Sequence, residues 1–453
     1  MCRIFLFLLC IPLSLSALPV KIKGSTALPG QLVRVIVVKD YISGADSLIA
    51  SAKTDFKGSF DLTFPLEATE VSQIAIGLHR CQLLLKPGSA YELSFLFNQG
   101  TSPAAYFDPQ PLEVSVKSAT DQGLQEQFGK LNFIYNTFVV QRFAIAQRYG
   151  RADLYDSLRL AMQTEVPASN DSFLESYRFY KLASIAVPIK KMIPHQIFSV
   201  FFKNKPKQLR NPEYMAMLDQ YFGDYFLSTS KETSFDGFIL ASSQGFKSLT
   251  KYLSEDPLFE GEPALRELVM LMHLDRLFHH PAFAKGAIRQ ILNEVSSSSR
   301  YLDHRRIAEN IIVTREHLTF GSPAPPIRLL DAAGNDALPD KLSAKLLALV
   351  FVKENCEVCL RLLEQLSPIN EKYADQVKML VVSTKSGFAA VKAEMEKRES
   401  GLEVVHTGDD ILAYERYNIK VFPEIVLLFP DRRIAMSPAP SENIDYHIGR
   451  FLR

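Results

Sequence analysis

The sequence predicts a multidomain α+β protein with an N-terminal antiparallel β-sandwich, a central α-helical domain and a C-terminal α/β domain. Three observations predict this order. β-branched runs separated by turn signals fill residues 18–117, and apolar residues three or four apart dominate residues 118–317. Strand-like and helical runs then alternate through residues 318–453. A length of 453 residues suits about three domains of roughly 100–200 residues each.

Residues 1–17 have the pattern of a secretory signal peptide. A basic start at Arg3 precedes an apolar run of about a dozen residues, which is too short to span a bilayer, and small residues follow at Ser16 and Ala17. No other run is long and apolar enough to span a membrane. We therefore expect an exported protein of the periplasm or cell envelope.

Composition and motifs exclude several classes of function. The formal net charge is +1, so no strong field implies nucleic acid as a partner. The sequence contains no Gly-rich phosphate loop, no G-x-S-x-G and no H-E-x-x-H, and we expect no cofactor. His279 and His280 are adjacent, point in different directions on a helix and have no further ligand at suitable spacing, so we expect no metal site.

The β-sandwich is predicted from strand-like runs such as 32–38 and 72–76, with turn signals at 43–44, 55–58 and 86–89. In the helical domain the leucine spacing and the dense aromatic residues predict buried core, and a peptide-binding groove is the alternative. These positions are Leu124, Phe128, Leu131, Ile134, Phe173, Tyr177, Phe179, Tyr180, Phe198, Phe201, Phe202, Leu265, Leu268, Leu271 and Leu274. A Pro-rich segment at 321–326 marks the last boundary, and strands are predicted near 346–352, 378–383, 402–405 and 424–429.

The cysteine pattern indicates one reactive pair. Of five cysteines, Cys2 and Cys10 lie in the predicted signal peptide, which leaves Cys81, Cys356 and Cys359. An exported protein with these three has no framework of structural disulfides. Cys81 lies in a strand-like run, where we expect a buried and inert thiol. Cys356 and Cys359 are therefore predicted to be reactive.

Cys356 and Cys359 form a Cys-x-x-Cys motif between an apolar strand and an amphipathic helix. This arrangement puts the first sulfur at a helix N-terminus, where backbone N–H groups and the helix dipole favour a thiolate. Such a thiolate can attack a disulfide, and the second cysteine can resolve the mixed disulfide. Glu357 beside Cys356 disfavours the thiolate, so we expect a weakly reducing couple.

Three motifs carry a resemblance to a known family. They are Gly-Ser-Pro-Ala-Pro at 321–325 followed by Leu330-Asp331 and Gly334, the Cys-Glu-Val-Cys motif, and Val421-Phe422-Pro423 before a late strand. Residues 319–453 thus resemble the thioredoxin-fold domain of exported TlpA/ResA-type proteins, in the redoxin or AhpC/TSA-like superfamily. The predicted sandwich resembles the β-domain that often precedes such domains in exported Bacteroidetes proteins.

The resemblance implies a thioredoxin fold for residues 318–453 and a role for each matching residue. Cys356 would be the attacking thiolate, and Cys359 the more buried resolving thiol. Pro423 would follow a cis peptide bond and face the pair, which leaves the Phe422 backbone free to pair with a client. The implied partners are client proteins with disulfides or thiols and an unknown upstream thiol reductant.

Five positions depart from the family pattern or bear on it. Asn355 stands where Trp is usual, and Val350 stands where an acidic residue commonly assists proton transfer from the resolving thiol. Glu424, directly after Pro423, is a candidate substitute for that acid. Phe422 replaces a smaller residue. Lys353 occupies the place of a Thr that the peroxidase branch needs, so a peroxidase is not expected.

The sequence leaves two functions open. One is a thiol–disulfide oxidoreductase that acts on exported proteins, and the other is a redox-inactive interaction protein of the cell envelope with a degenerate thioredoxin-like domain. In either case the first two domains are expected to form a homodimer or to select clients.

Overall fold

The computed structural model describes residues 17–27, 29–77, 79–97, 110–189, 191–229, 233–284, 286–338, 343–410 and 412–453. These residues divide into two compact units. Unit 1 comprises the described residues within Met1–Asn98 and Pro111–Ile311, and unit 2 comprises those within Gln99–Gln110 and Ile312–Arg453. The predicted boundaries at 117/118 and 317/318 stay predictions. The predicted signal peptide, except for residue 17, lies outside the described residues. Within the described ranges no helix is long and apolar enough to cross a membrane.

Unit 1 begins with eight strands that form one hydrogen-bonded sheet in the order β3-β2-β5-β6-β8-β7-β1-β4. The strands are β1 (Leu18–Thr26), β2 (Leu32–Val38), β3 (Asp46–Lys53), β4 (Ser59–Leu66), β5 (Glu70–Ile76), β6 (His79–Leu85), β7 (Ala90–Phe97) and β8 (Gln110–Ala119). Alternate residues of β4 are buried, as expected for a strand with one solvated face. Inward residues of seven strands share one apolar core, so the sheet curls around it. The hydrogen-bonded order is continuous, and the two separate sheets of a sandwich are not confirmed.

One strand pair corrects the prediction of wholly antiparallel pairing. β1 and β7 are parallel, with Lys21 opposite Ala90 and Thr26 opposite Phe95. A parallel pair needs a long crossover connection, and strands β2 to β6 provide it here. Turn signals in a sequence reveal hairpins between neighbouring strands, and they carry no information about such a crossover.

Helices follow the sheet along the chain. They are α1 (Gln122–Phe138), α2 (Ala144–Tyr149), α3 (Ala152–Glu165), α4 (Ser172–Ala186), α5 (Pro194–Phe201), α6 (Pro212–Phe222), α7 (Phe235–Ser243), α8 (Phe246–Ser254), α9 (Pro263–Arg276), α10 (Ala287–Ser298) and α11 (Leu302–Arg315). π-helical turns at Val139–Phe143 and Tyr225–Thr229 and a 3₁₀ turn at Pro257–Phe259 interrupt the series.

The core interpretation of the helical positions is confirmed for most of them. The four leucines of α9 are fully buried, and so are the side chains of Tyr177, Tyr180, Phe198, Phe201 and Phe202. Phe179 is exposed, although its ring contacts Tyr180 and Phe201. Closely spaced aromatic residues on a helix lie on several of its faces, and Phe179 lies on a face that is exposed to solvent.

Unit 2 contains a five-stranded sheet in the order β11-β10-β9-β12-β13, in which β9, β10 and β11 are parallel and β12 and β13 are antiparallel to their neighbours. The strands are β9 (Leu346–Phe351), β10 (Val377–Ser383), β11 (Glu403–His406), β12 (Glu424–Leu428) and β13 (Ile434–Ala439). The helices are α12 (Glu357–Lys372), α13 (Phe388–Lys397), α14 (Leu412–Arg416) and α15 (Ile444–Leu452), with a 3₁₀ turn at Ser441–Asn443. The predicted strands are confirmed to within about two residues. The sequence does not predict β13, because Pro438 weakens its strand pattern. β13 lies at the edge of the sheet, where proline is tolerated.

The two faces of this sheet carry different clusters. Val350 and Ile425 point to the face covered by α12, in the cluster that contains both cysteines. Phe351 and Val426 point to the opposite face, which is covered by α14 and the segment around Leu329. Because side chains alternate along a strand, each strand residue can be assigned to one face or the other.

Candidate active site

The central strand of unit 2 delivers the cysteine motif to one edge of the sheet. β9 is buried along its whole length between β10 and β12, and the chain leaves the sheet after Phe351. Asn355 then has a φ of 54°, in the left-handed region that asparagine tolerates better than bulky residues do. This turn brings Cys356 to the N-cap position of α12.

The sulfur of Cys356 is held by the first turn of α12. Cys356 has an extended backbone as the N-cap residue, and its Sγ accepts a hydrogen bond from the backbone N–H of Cys359 at 3.1 Å. The N-terminus of a helix carries a partial positive charge, and an N–H aimed at sulfur favours its anionic form. The arrangement would therefore stabilise a thiolate on Cys356 in the reduced protein.

Cys356 and Cys359 form a disulfide whose Cα atoms lie 5.2 Å apart, well within the usual range for a bridge of roughly 4.4–6.8 Å. Cys356 retains 8% of its surface exposure, whereas Cys359 retains 1%. A reactant that approaches from solvent therefore meets the sulfur of Cys356 first.

The segment before β12 ends at the same edge of the sheet. β12 is antiparallel to β9, with Ile425 opposite Val350. Pro423 comes two residues before this pair, and the Phe422–Pro423 peptide bond is cis. Phe422 is half-buried and packs both against the cluster that holds the cysteines and against the cluster on the opposite face. The structure thus brings together Cys356, Cys359 and Phe422, with Pro423 next in the chain.

Glu424 begins β12, next to the strand that leads to the cysteines. It pairs with Phe351, and alternation along β12 turns its side chain to the face opposite α12. Partial burial raises the pKa of the Glu424 carboxyl, and the nearby Lys420 opposes this rise. Val350 lies in the apolar cluster that contains both cysteines. Val350 offers no proton acceptor, and the supporting role of Glu424 stays a prediction.

The structure adds a contact that sequence reasoning missed. The carboxylate of Glu354, in the turn before Cys356, lies so close to Gly387 that a side chain at Gly387 would collide with it. The N–H of Gly387 donates to Thr384 Oγ1 at 3.1 Å, which fixes the turn before α13. The turn that carries Cys356 is thus packed against the turn that follows β10. No local signal in the sequence links these positions, which are more than thirty residues apart.

Apolar side chains are exposed beside the pair. Val358, in the first turn of α12, is 54% exposed, and Val421, two residues before Pro423, is 65% exposed. Glu357 is also exposed at the first position of the helix. The first turn of α12 therefore presents an apolar side chain and a carboxylate next to Cys356.

Cys81 is far less suited to exchange chemistry. It is half-buried, where the sequence predicted full burial, and its Sγ donates to the carbonyl oxygen of Ile74 at 3.8 Å. Burial raises the pKa of the Cys81 thiol to about 12. A thiol with such a pKa forms almost no thiolate near neutral pH, which agrees with the prediction of an inert residue.

No family model and no curated protein matches this sequence. Solved structures with some likeness include a thiol:disulfide interchange protein from Bacteroides sp. (24% identity, 30% of this chain, 91% of that chain, TM-score 0.28). A second is the thioredoxin domain of a thiol-disulfide oxidoreductase from Bacteroides vulgatus (23% identity, 30% of this chain, 99% of that chain, TM-score 0.28). A third is a thioredoxin-like protein from Bacteroides caccae (13% identity, 51% of this chain, 92% of that chain, TM-score 0.31).

Proposed function

We propose that unit 2 is a thioredoxin-like domain that catalyses thiol–disulfide exchange through Cys356 and Cys359. The observation that carries the proposal is the N-cap position of Cys356, whose sulfur accepts the N–H of Cys359 while it forms a disulfide with that residue. The strand order supports the thioredoxin-like fold, because the cysteines follow a central parallel strand and Pro423 precedes an antiparallel neighbour.

The exchange moves two electrons in two displacements. The thiolate of reduced Cys356 attacks one sulfur of a client disulfide, forms a mixed disulfide and releases the other client sulfur as a thiolate. Cys359 loses its proton and attacks the sulfur of Cys356, which forms the intramolecular disulfide and releases the second client thiolate. The client is reduced and the domain is oxidised. An upstream dithiol must then reduce the pair to complete a cycle.

The environment of Cys356 supports a weakly reducing direction. The N-terminus of α12 favours the thiolate, while Glu357 in the same turn opposes it. The same proposal includes export to the periplasm or cell envelope and a homodimeric state. It also includes clients that carry disulfides or thiols and an unknown upstream thiol reductant. Mass spectrometry of the N-terminus after expression in a bacterial host tests export, because a retained Met1 would contradict it.

The decisive experiment is a redox titration of the full chain together with insulin reduction. We expect one two-electron couple more reducing than about −180 mV, and loss of insulin reduction in Cys356→Ser. Cys359→Ser should instead trap a mixed disulfide with the client. If wild type reduces nothing and its pair shows no couple between about −300 and −120 mV, the redox-inactive interaction protein becomes the better account.

A further inference from the structure

A second candidate site lies in unit 1, apart from the thiol chemistry. A half-open cavity of about 370 Å³ is enclosed by strands β6 and β8 and by helices α1, α4 and α6. This volume is within the range of roughly 300–1,000 Å³ that is usual for small-molecule sites.

The cavity is lined by an ion pair in which Lys181 is buried and Glu213 is partly buried. Lys181 is only 7% exposed, and its Nζ donates to Glu213 Oε1 at 2.7 Å and to the hydroxyl of Tyr177 at 3.2 Å. The ammonium group also lies 4.4 Å from the centre of the Tyr135 ring. Well-packed apolar side chains often stabilise a fold as well as a buried ion pair does or better. A buried ion pair is therefore weak evidence of a stabilising role, and Lys181 and Glu213 place polar groups on the cavity wall.

Gly129 is a second unusual feature of the same cavity. It lies on an exposed position in the middle of α1, where glycine is less favourable than alanine. Its backbone is helical, and an added Cβ would meet no atom of the described residues within 4 Å. Neither backbone conformation nor close packing requires glycine here. Gly129 is one of the lining residues, so the absence of a side chain leaves space at the wall of the cavity.

The lining indicates the chemistry of the ligand. The charges of Lys181 and Glu213 compensate each other, so a ligand with net charge gains little. The amides of Gln82 and Asn136 each offer a hydrogen-bond donor and an acceptor, and Phe128 offers an apolar face. We propose that this cavity binds a neutral, hydroxyl-rich small molecule, namely a saccharide unit.

Ligand-observed NMR and titration calorimetry on the full chain test the proposal, with glucose, N-acetylglucosamine and maltose as probes. Gly129→Leu adds a bulky side chain to the lining and should abolish saccharide binding. Gly123→Leu is its matched control, because Gly123 lies on the same helix, has equal space for a side chain and is not part of the lining. Binding by Gly123→Leu should equal that of wild type. Asn136→Ala should weaken binding about tenfold through one lost hydrogen bond.

Circular dichroism establishes that each variant is folded, and Asn136→Ala keeps the test decisive if Gly129→Leu is not. The proposal is overturned if none of the three saccharides binds saturably, or if Gly129→Leu or Asn136→Ala binds as wild type does. Binding of N-acetylalanine methylamide in place of the saccharides would also overturn it, in favour of a peptide site.

Discussion

The substitution Glu357→Gln tests how the first turn of α12 sets the redox properties of Cys356. Glu357 is exposed at the first helical position, directly after the N-cap cysteine. Removal of its negative charge should stabilise the Cys356 thiolate and with it the reduced form, so the potential should rise. Exposed charges at such range interact by about 0.3–1 kcal/mol. With roughly 1.4 kcal/mol for each 30 mV, the expected rise is about 5–20 mV.

The potential is measured by equilibration in glutathione or dithiothreitol buffers, followed by alkylation of free thiols and mass spectrometry. Glu371→Gln is the matched control. It is exposed on the same helix nearly four turns further on, about 20 Å along the axis at roughly 1.5 Å per residue. This separation exceeds the Debye length of about 8 Å at physiological salt, so we expect no change. An unchanged or lowered potential in Glu357→Gln, or an equal shift in Glu371→Gln, refutes the reasoning.

Three further predictions concern the surroundings of the pair and the stability of unit 1. Val350→Asp should speed resolution of the mixed disulfide in stopped-flow assays, because it supplies a proton acceptor in the cluster with both cysteines. It should also lower the free energy of unfolding in urea by about 1–3 kcal/mol, since it buries a polar group. An unchanged resolution rate would contradict a role for position 350 in proton transfer. Gly387→Ala should displace the Glu354 side chain and alter the rate at which Cys356 is alkylated in the reduced protein, without loss of fold. An unaltered alkylation rate would show that the contact between Glu354 and Gly387 does not position the turn that carries Cys356. Burial lowers the pKa of His273 from 6.5 to about 4. Between these values the unfolded chain binds a proton that the folded chain does not, so stability should fall by about 3 kcal/mol as the pH falls across this window. His273→Gln should lose that pH dependence in urea unfolding.

Local patterns in the sequence were enough to predict most elements near the site. The apolar run of β9 and the amphipathic helix after it fix Cys356 at a strand-to-helix turn, whatever the rest of the chain does. The leucine spacing of α9 likewise predicts its buried face. Such patterns involve residues a few positions apart, and the sequence contains them directly.

Features that depend on distant partners could not be predicted in this way. The parallel pairing of β1 with β7 joins segments some seventy residues apart. Strand register decides which face of the sheet Glu424 takes, and no short motif specifies that register. The contact of Glu354 with Gly387 likewise depends on how separate parts of the chain come together. The cavity around Lys181 combines side chains from two strands and three helices, so the sequence alone gave no reason to group them.

Asn355 and Val350 both depart from the family pattern that the motifs resemble, and the structure gives these two departures different consequences. Asn355 adopts a left-handed φ of 54°, which a bulky residue such as Trp adopts only with strain, so its presence suits this turn and is no sign of decay. Val350 lies in the cluster with both cysteines and cannot take a proton from Cys359. In the proposed exchange, the N-cap position of Cys356 therefore supports the first displacement, while position 350 gives no assistance to the second. It follows that resolution should be the slow step, and that wild type should accumulate a mixed disulfide with its client that Val350→Asp removes.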